Sequence, residues 1–562
     1  MNTAVAQHAE AHHLRPDRDG VTTQRWLILA FIAVLLLQLE VLFNRPVNWD
    51  EYFHLTEAHM FQQGRLTETL QVLYARAFFW LAWLPLDAVD QIRVARLFML
   101  GFELFTTWTI FALAIRFASR QAAMIAALAY LSGGYVFQHG MSFRADPMAA
   151  AFLMGTLYIL LTRRLDWRWI LLAGCLTGLA FLTTIKIVLY APAFAAVAWL
   201  RWHQTGDRAA LVRQGLGFTV ATLAFSALFL GLTTLTLPPE SAADIKAAHQ
   251  RLSTSGTMMF DLGLFPRWPY ALGAIAFAPL LGVIVLRTPF DLRRVVTDRT
   301  VRIALLLMMA PLLSISFYSN SFPYFFAYIL PPVMVAAAVG AGVMIQRFGL
   351  RLITAALVAN ALVLSLGTPR EVLTAQKQVA AAVDQIFPEP VAYFDFPGMI
   401  PAFPKANFFM TNWGIRRYWD GLEDSFTDVM TARPVPLLIV NQDTLTRNQT
   451  DPEGAWELSP ADRIALRDSF VPHWGPIWVA GKVFAGPRPA QDFTIRTPGT
   501  YTVEGGPARI NGVPYRAGAV LQLVRGTHRI ERLTADVTTL RWGDHLPRPV
   551  QPFVGGPVMK DF

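Results

Sequence analysis

Charge is what this chain has least of. Its 562 residues are 54% hydrophobic and only 15% charged, where an ordinary soluble protein carries about 25% charge. Cysteine is nearly absent too. The single Cys175 lies inside an apolar run, which excludes an intramolecular disulfide. Any water-exposed part is therefore held by its own core, even in an oxidising compartment. The sequence has no P-loop, no G-x-G-x-x-G, no H-E-x-x-H and no G-x-S-x-G in a fitting context, which argues against nucleotide-driven chemistry. Lysine is scarce, with six residues, so the net charge of +9 and pI near 9.7 belong to arginine. Those arginines sit in short loops between apolar runs. Membrane topology requires them there, so the basic balance points to no nucleic-acid partner.

What is present is apolar length. Mean hydropathy is +0.38, and long apolar runs recur from Trp26 to Gly367 before composition turns ordinary after Pro369. A spanning helix needs about 20 residues. Candidate spans are 26–43, 92–117, 121–138, 147–162, 168–184, 187–202, 215–237, 269–286, 302–319, 324–345 and 352–367. The pair flanking Lys186 is short enough to be one re-entrant hairpin. The predicted fold class is therefore a mostly α, polytopic membrane protein of about eleven helices with a C-terminal soluble region. Residues 1–25 form a polar cytoplasmic leader, and 26–367 form the membrane domain with a long first external loop at 44–91. The leader's His8, His12 and His13 suit a polar tail better than a metal site. The first apolar run is longer than a signal-peptide core, and Asn44-Arg45-Pro46 is no cleavage site, so that helix is expected to stay.

Arginine placement sets the orientation. One set of loops holds Arg116 and Arg120; Arg163, Arg164 and Arg168; Arg201, Arg208 and Arg213; Arg287, Arg293, Arg294, Arg299 and Arg302; and Arg347 and Arg351. The opposite short loops hold Arg144, Lys186 or no cation. The positive-inside rule places the first set in the cytoplasm. An odd helix count then puts the tail outside. Among the external loops, Leu66 to Pro85 is an amphipathic stretch suited to the membrane interface, and the loop at 238–268 is polar.

The chemistry-bearing residues gather on that external side. Asp50 and Glu51 follow the first span in Asn48-Trp49-Asp50-Glu51-Tyr52-Phe53-His54. Acids at a helix end in water are ordinary, but flanking aromatics place these at headgroup depth, where charge is costly. Asp146 stands in Ser142-Phe143-Arg144-Ala145-Asp146-Pro147. By itself it reads as an N-cap with Pro at the first helical position; by topology it shares a face with Asp50. Lys186 interrupts an apolar stretch, as a snorkelling lysine or as an external cation for a phosphate. Asn320-Ser321-Phe322-Pro323-Tyr324-Phe325, followed by Tyr328 and Pro331-Pro332, reads as an aromatic belt. Glu40 and Glu103 lie in or near spans and have no evident role.

Taken in order, these features resemble the GT-C glycosyltransferases: Asp-Glu after the first helix, Asp-Pro two external loops on, the Gly-Leu-Ala-Phe-Leu-Thr-Thr-Ile-Lys stretch at 178–186, and the aromatic-Pro run at 320–332. The likeness is to the branch of protein O-mannosyltransferases and the lipid A aminoarabinose transferase, and it covers 26–367. It implies a polyprenyl-phosphate sugar donor used on the periplasmic face of a bacterial inner membrane. Asp50 then matches the proposed base, Glu51 its neighbour, Asp146 the second acid and Lys186 a phosphate contact. Arg144, Asn320 and Tyr324 join the donor or substrate set. The aminoarabinose branch has a Lys-Pro-Pro run in its first loop. This chain has Tyr74-Ala75-Arg76-Ala77-Phe78 there, so Arg76 stands in for the lysine; Tyr74 and His54, the latter in place of an aromatic residue, join the same donor or substrate set. The implied partners are the lipid-linked donor, membrane lipids and an acceptor glycan, lipid or protein. The chemistry needs no certain cofactor; a divalent cation held by Asp50, Glu51 and His54 is an option that no dense ligand cluster demands. The rival classes are a transporter or flippase for a lipid-linked saccharide, which would show internal repeats and midplane charges, and a polysaccharide polymerase or ligase.

In the tail, 370–386 and 459–469 read as helices and Val391–Phe396 and Pro436–Asn441 as strands, giving an α/β region over 370–486. Gly486-Pro487-Arg488-Pro489 reads as a linker. From 490 to 562 strands alternate with turns, Asn511-Gly512 marks a hairpin, and a small β-sandwich is expected. Trp413, Tyr418, Trp419 and Trp542 are candidate glycan contacts, with core packing the commoner role.

Overall fold

The computed structural model describes residues 19–66, 71–236, 265–486 and 490–559. Most of the leader, most of the loop at 238–268 and the linker residues 487–489 lie outside the described residues. The membrane part is built from α1 (Asp19–Asn44), α2 (Trp49–Gln62), α3 (Leu73–Ala77), α4 (Ala88–Ala114), α5 (Arg120–Leu131), α6 (Gly134–His139), α7 (Ala145–Thr162), α8 (Trp167–Thr183), α9 (Ala191–Gln204), α10 (Arg208–Leu235), α11 (Trp268–Ala276), α12 (Pro279–Val295), α13 (Arg299–Met309), α14 (Phe325–Phe348) and α15 (Leu350–Leu366). Among the described residues seven helices are long and apolar enough to span, and two bent pairs raise the number to nine. The other two expected spans fall on α8, of 17 residues, and on the broken pair α5–α6, of 12 and 6 residues. Both are shorter than the 20 or so residues a straight crossing needs.

Helix α14 is the axis of the bundle, buried along most of its length. Pro331 and Pro332 lie inside it and cannot donate to the carbonyls four residues back. Those carbonyls are taken up from neighbouring helices: Tyr130 Oη donates to Ala327 O at 2.8 Å and Tyr190 Oη to Tyr328 O at 2.6 Å. In a membrane each freed carbonyl needs such a partner. The two tyrosines thereby tie α5 and the 3₁₀ turn Ile185–Tyr190 to α14. Helices α8 and α10 approach closely through Gly174, where a Cβ would lie 2.6 Å from that of Ala221. This is the small-residue packing common in membranes. Glu40 and Glu103 also acquire partners. Glu103 accepts from Gln38 at 3.0 Å, and Glu40 from Ser365 at 2.7 Å and Arg370 at 2.6 Å, joining α1 to α4 and α15.

The tail opens with α16 (Glu371–Ile386), then β1 (Tyr393–Phe394), α17 (Asn412–Trp419), α18 (Phe426–Ala432), β2 (Leu437–Ile439), α19 (Asp443–Thr450), α20 (Pro460–Ser469), β3 (Phe470–Trp474) and β4 (Ile477–Phe484). It continues with β5 (Ala490–Ile495), β6 (Gly499–Gly505), β7 (Ala508–Ile510), β8 (Val513–Tyr515), β9 (Val520–Leu523), β10 (Gly526–Arg532) and β11 (Thr538–Trp542). One seven-stranded sheet runs β1-β2-β4-β11-β6-β9 with β3 also on β4. It therefore crosses the expected linker: β4 of the α/β region pairs with β11 of the β-rich region. A second sheet, β5-β10-β7-β8, faces it across a core of Phe484, Phe493, Tyr501, Val503, Ile530 and Leu540. The two-layer packing matches the expected sandwich. Asn511 and Gly512 turn β7 into β8 with φ of 49° and 86°, the pattern of a type I′ hairpin turn. A continuous apolar core joins tail and bundle, with Val379, Val383, Tyr393 and Val479 packed with Tyr52, Leu55, Ile92 and Phe143.

Candidate active site

The site begins with a helix start. Asn48 caps α2 by accepting from Asp50 N at 3.0 Å, and Glu51 returns the bond by accepting from Asn48 N at 3.0 Å. This reciprocal box fixes where α2 begins and hence where Asp50 sits. The chain entering it is gripped by Arg96, which donates to Leu42 O and Arg45 O at 3.0 Å and to Pro46 O at 2.9 Å. Arg96 also pairs with both oxygens of Glu51, at 2.8 and 2.5 Å.

From this frame Asp50 reaches Arg144, with which it forms an ion pair. Arg144 also lies 3.5 Å from Asp146, and Asp146 pairs with Lys186. Four charges thus form one chain, Asp50–Arg144–Asp146–Lys186, contributed by the starts of α2 and α7, the residue just before α7 and the turn after α8. All four side chains are nearly buried. The guanidinium of Arg144 lies 3.5 Å from the ring centroid of Tyr324, and Lys186 Nζ lies 5.5 Å from those of Tyr324 and Tyr328. Stacking of cation on ring adds attraction where water is scarce. Asn320 hydrogen-bonds Tyr318 next to this group. Asp146 sits inside the first turn of α7, whose N-cap is Arg144 and has no side-chain cap bond. Its carboxylate faces the two cations, not its own helix. Lys186 does not snorkel outward either.

Glu51 is placed differently. It is completely buried, and besides Arg96 and Asn48 N it accepts from Phe143 N at 2.9 Å. Burial alone would raise its carboxyl; Arg96, Arg45 and the Phe143 N–H together hold it below the usual glutamate value. Both oxygens are occupied, so Glu51 orders the loop before Asp50 and the turn before α7.

His54 lies one turn beyond Asp50 with its ring 4.1 Å from that of Tyr74. Its buried Nδ1 has no hydrogen bond, and burial lowers its pKa to about 3, so it is neutral at physiological pH. Tyr74 donates to Glu57, whose carboxyl burial raises to about 8 despite Arg76 nearby. Arg76 bonds Thr233 O and Thr236 Oγ1 at 3.2 Å, which caps the end of α10. Among the described residues no three His, Cys, Asp or Glu side chains converge on a possible metal position. With both Glu51 oxygens taken by Arg96 and backbone N–H groups, the set Asp50, Glu51 and His54 does not fit a cation. In the tail, Tyr418 is buried and donates to Asp462 at 2.7 Å, and Trp419 donates to Glu457 O at 3.1 Å. Trp542 packs against Phe387.

Arg96 and Arg45 stand beside Glu51 and carry no motif that marks them in the sequence. The available signal was an arginine pair, Arg93 and Arg96, at the head of an apolar run, since charge within such a run is rarely idle.

Comparison with known proteins agrees with this architecture. Residues 76–230 match the family model described as dolichyl-phosphate-mannose-protein mannosyltransferase. ArnT from Cupriavidus metallidurans bound to undecaprenyl phosphate aligns with a TM-score of 0.54 at 14% identity, over 81% of this chain and 98% of that one. Its apo state gives 0.55 at 14% identity, over 82% and 98%. No curated protein matches the chain in sequence. This chain is a multi-pass membrane protein with the fold of the GT-C glycosyltransferase superfamily.

Proposed function

We propose that the protein transfers a sugar from a polyprenyl-phosphate donor to a hydroxyl on an external acceptor: a lipid, a glycan or a protein. The observation that carries this reading is the buried ion chain Asp50–Arg144–Asp146–Lys186 at helix starts and turns of the bundle. The donor has an apolar tail and a polar head, so its reacting bond must sit at the interface. There, two cations stand beside two carboxylates under a tyrosine roof. Arg144 and Lys186 bind the donor phosphate. As Arg144 turns to the phosphate, Asp50 gains a free oxygen for the acceptor hydroxyl. The acceptor oxygen attacks the anomeric carbon, its proton passes to Asp50, and the bond from that carbon to the phosphate oxygen breaks. The electron pair leaves on the polyprenyl phosphate, where Arg144 and Lys186 offset the growing charge. Asp146 keeps both cations in place between turnovers.

The test is turnover of a lipid-phosphate sugar by the purified protein in lipid. Lys186→Met and Arg144→Gln should each raise the donor KM by roughly 10- to 150-fold, the equivalent of about 1.5–3 kcal/mol for a charge-assisted contact. Wild-type donor saturation in both variants would refute the phosphate assignment.

This reading places the site and the tail in the periplasm of a bacterial inner membrane. Arginine asymmetry supports that side. Alkaline phosphatase fused after Phe562 should be active. An inactive phosphatase, with an active cytoplasmic reporter at the same point, would reverse the orientation.

A further inference from the structure

The segment that delivers Asp50 is held from two sides. Arg96 grips it from the bundle. From the tail comes Gln376, a polar side chain with no solvent exposure on α16. Its Oε1 accepts from Val47 N at 2.9 Å, and its Nε2 donates to Val47 O at 2.8 Å. One side chain thus satisfies both backbone groups of a residue three positions before Asp50 and 329 positions from itself in sequence. The same Nε2 donates to Val558 O at 3.0 Å, which draws the end of the chain into the same knot. A second tie lies further along α2. Thr56 Oγ1 donates to Gly398 O at 2.8 Å. The Gly398 turn is itself fixed by Asp395, which accepts from Gly398 N at 3.0 Å and Met399 N at 2.8 Å and pairs with Lys405 at 2.9 Å. Gly398 has φ of +81°, and a Cβ there would lie 2.4 Å from Thr56 Oγ1. Between these ties, Trp49 and Phe53 pack on Phe396 and Phe409 of the tail, with centroids 5.6 and 4.5 Å apart.

We propose that Gln376 is a positioning residue for Asp50, acting through Val47, so that the C-terminal domain is a working part of the active site and not an appendage to it. The inference rests on the transfer reading given above. The physical argument is one of tolerance. An isolated buried glutamine would cost stability unless all its polar atoms were paired. Here all are paired, and two of the four contacts are to the segment that leads to Asp50. Freed from that grip, the Val47–Asn48 segment keeps its α2 cap but gains freedom to tilt. A displacement near 1 Å at a reacting group costs about 100-fold in rate. Donor affinity should change little, because Arg144 and Lys186 both keep Asp146 as a partner.

The experiment uses the full-length protein in lipid nanodiscs with Gln376→Met, which keeps the volume and removes the bonds. Thr56→Val is a second variant that loosens the other tie. Steady-state transfer from a lipid-phosphate sugar and backbone hydrogen exchange over residues 45–52 are measured together. In Gln376→Met, kcat should fall about 10- to 100-fold with the donor KM within twofold or so of wild type, and exchange at Val47 should accelerate. Thr56→Val should lower kcat in the same sense with the donor KM again held. A general packing defect would instead lower the melting temperature and accelerate exchange throughout both the bundle and the tail. Unchanged protection at Val47 overturns the clamp. Faster exchange with wild-type kcat overturns its catalytic consequence. A wild-type protein that turns over no lipid-phosphate sugar overturns the transfer reading, and the exchange measurement still decides the clamp.

Discussion

Asp50→Asn should abolish sugar transfer, by about 10²–10⁴ in kcat, while the protein remains folded and binds its donor. The cap of α2 uses the backbone N–H of residue 50 and not its side chain, so the helix start survives the change. An asparagine oxygen can still accept from Arg144, so that cation keeps a neutral partner of the same shape. What asparagine cannot do is take the proton of the attacking hydroxyl. The loss should therefore appear in kcat with donor KM little changed, the reverse of the pattern for Lys186→Met. Asp146→Asn is the informative comparator. It weakens the hold on both Lys186 and Arg144 and should raise donor KM first. The measurement is transfer from a lipid-phosphate sugar by monodisperse protein of matched melting temperature. Near-normal turnover in Asp50→Asn would remove the base, and normal turnover in both aspartate variants would remove the site.

The assignment of Asp50 and Asp146 to one site shows how far the chain could be read before folding. Their shared side of the membrane followed from arginine placement alone, because a loop's charge determines which way it crosses. The bundle was legible for the same reason: a spanning helix needs about 20 apolar residues, a signal no soluble fold imitates. The Asn511-Gly512 hairpin was legible because few residues tolerate two positive φ angles in succession. Pairing was not legible. Lys186 and Asp146 are 40 residues apart, and Glu51 and Arg96 are 45 apart. No local pattern states that a helix-start aspartate will leave its cap for a lysine on another helix. Local rules favoured the cap at Asp146; desolvated charge favoured the ion pair, and the stronger interaction prevailed. The same holds for Arg76, which sequence position placed near the donor and the fold ties to the end of α10. Some of the tail's strands were visible singly, as around Tyr393–Phe394 and Leu437–Ile439, but β3, β4, β10 and β11 were not, and neither was the strand order. The pairing of β4 with β11 joins segments separated by an apparent linker.

Glu51→Gln should behave unlike its neighbour, losing stability more than chemistry. Glu51 and Arg96 are both nearly solvent-free and bonded twice. Removing one charge leaves the other buried without its counter-ion, a change that costs about 3–5 kcal/mol. Arg96 would keep its three backbone carbonyls, which moderates the loss but does not replace the carboxylate. The melting temperature should fall well below that of Asp50→Asn, while the folded fraction retains substantial kcat. Pairing Glu51→Gln with Arg96→Met should recover part of the loss, because the double variant leaves no buried charge alone. Acid provides an independent check. Burial would raise the Glu51 pKa, but Arg96, Arg45 and Phe143 N–H hold it net below its ordinary value. A depressed folded-state pKa contributes stability that is present in full above the unfolded value, about 4.3, and is lost as pH falls through the folded value. The gap in melting temperature between wild type and Glu51→Gln should thus stay constant from pH 8 down to about pH 5 and narrow only below about pH 4.3. A Glu51→Gln protein of wild-type stability but without turnover would return Glu51 to the chemistry and require a different account of what Arg96 is for.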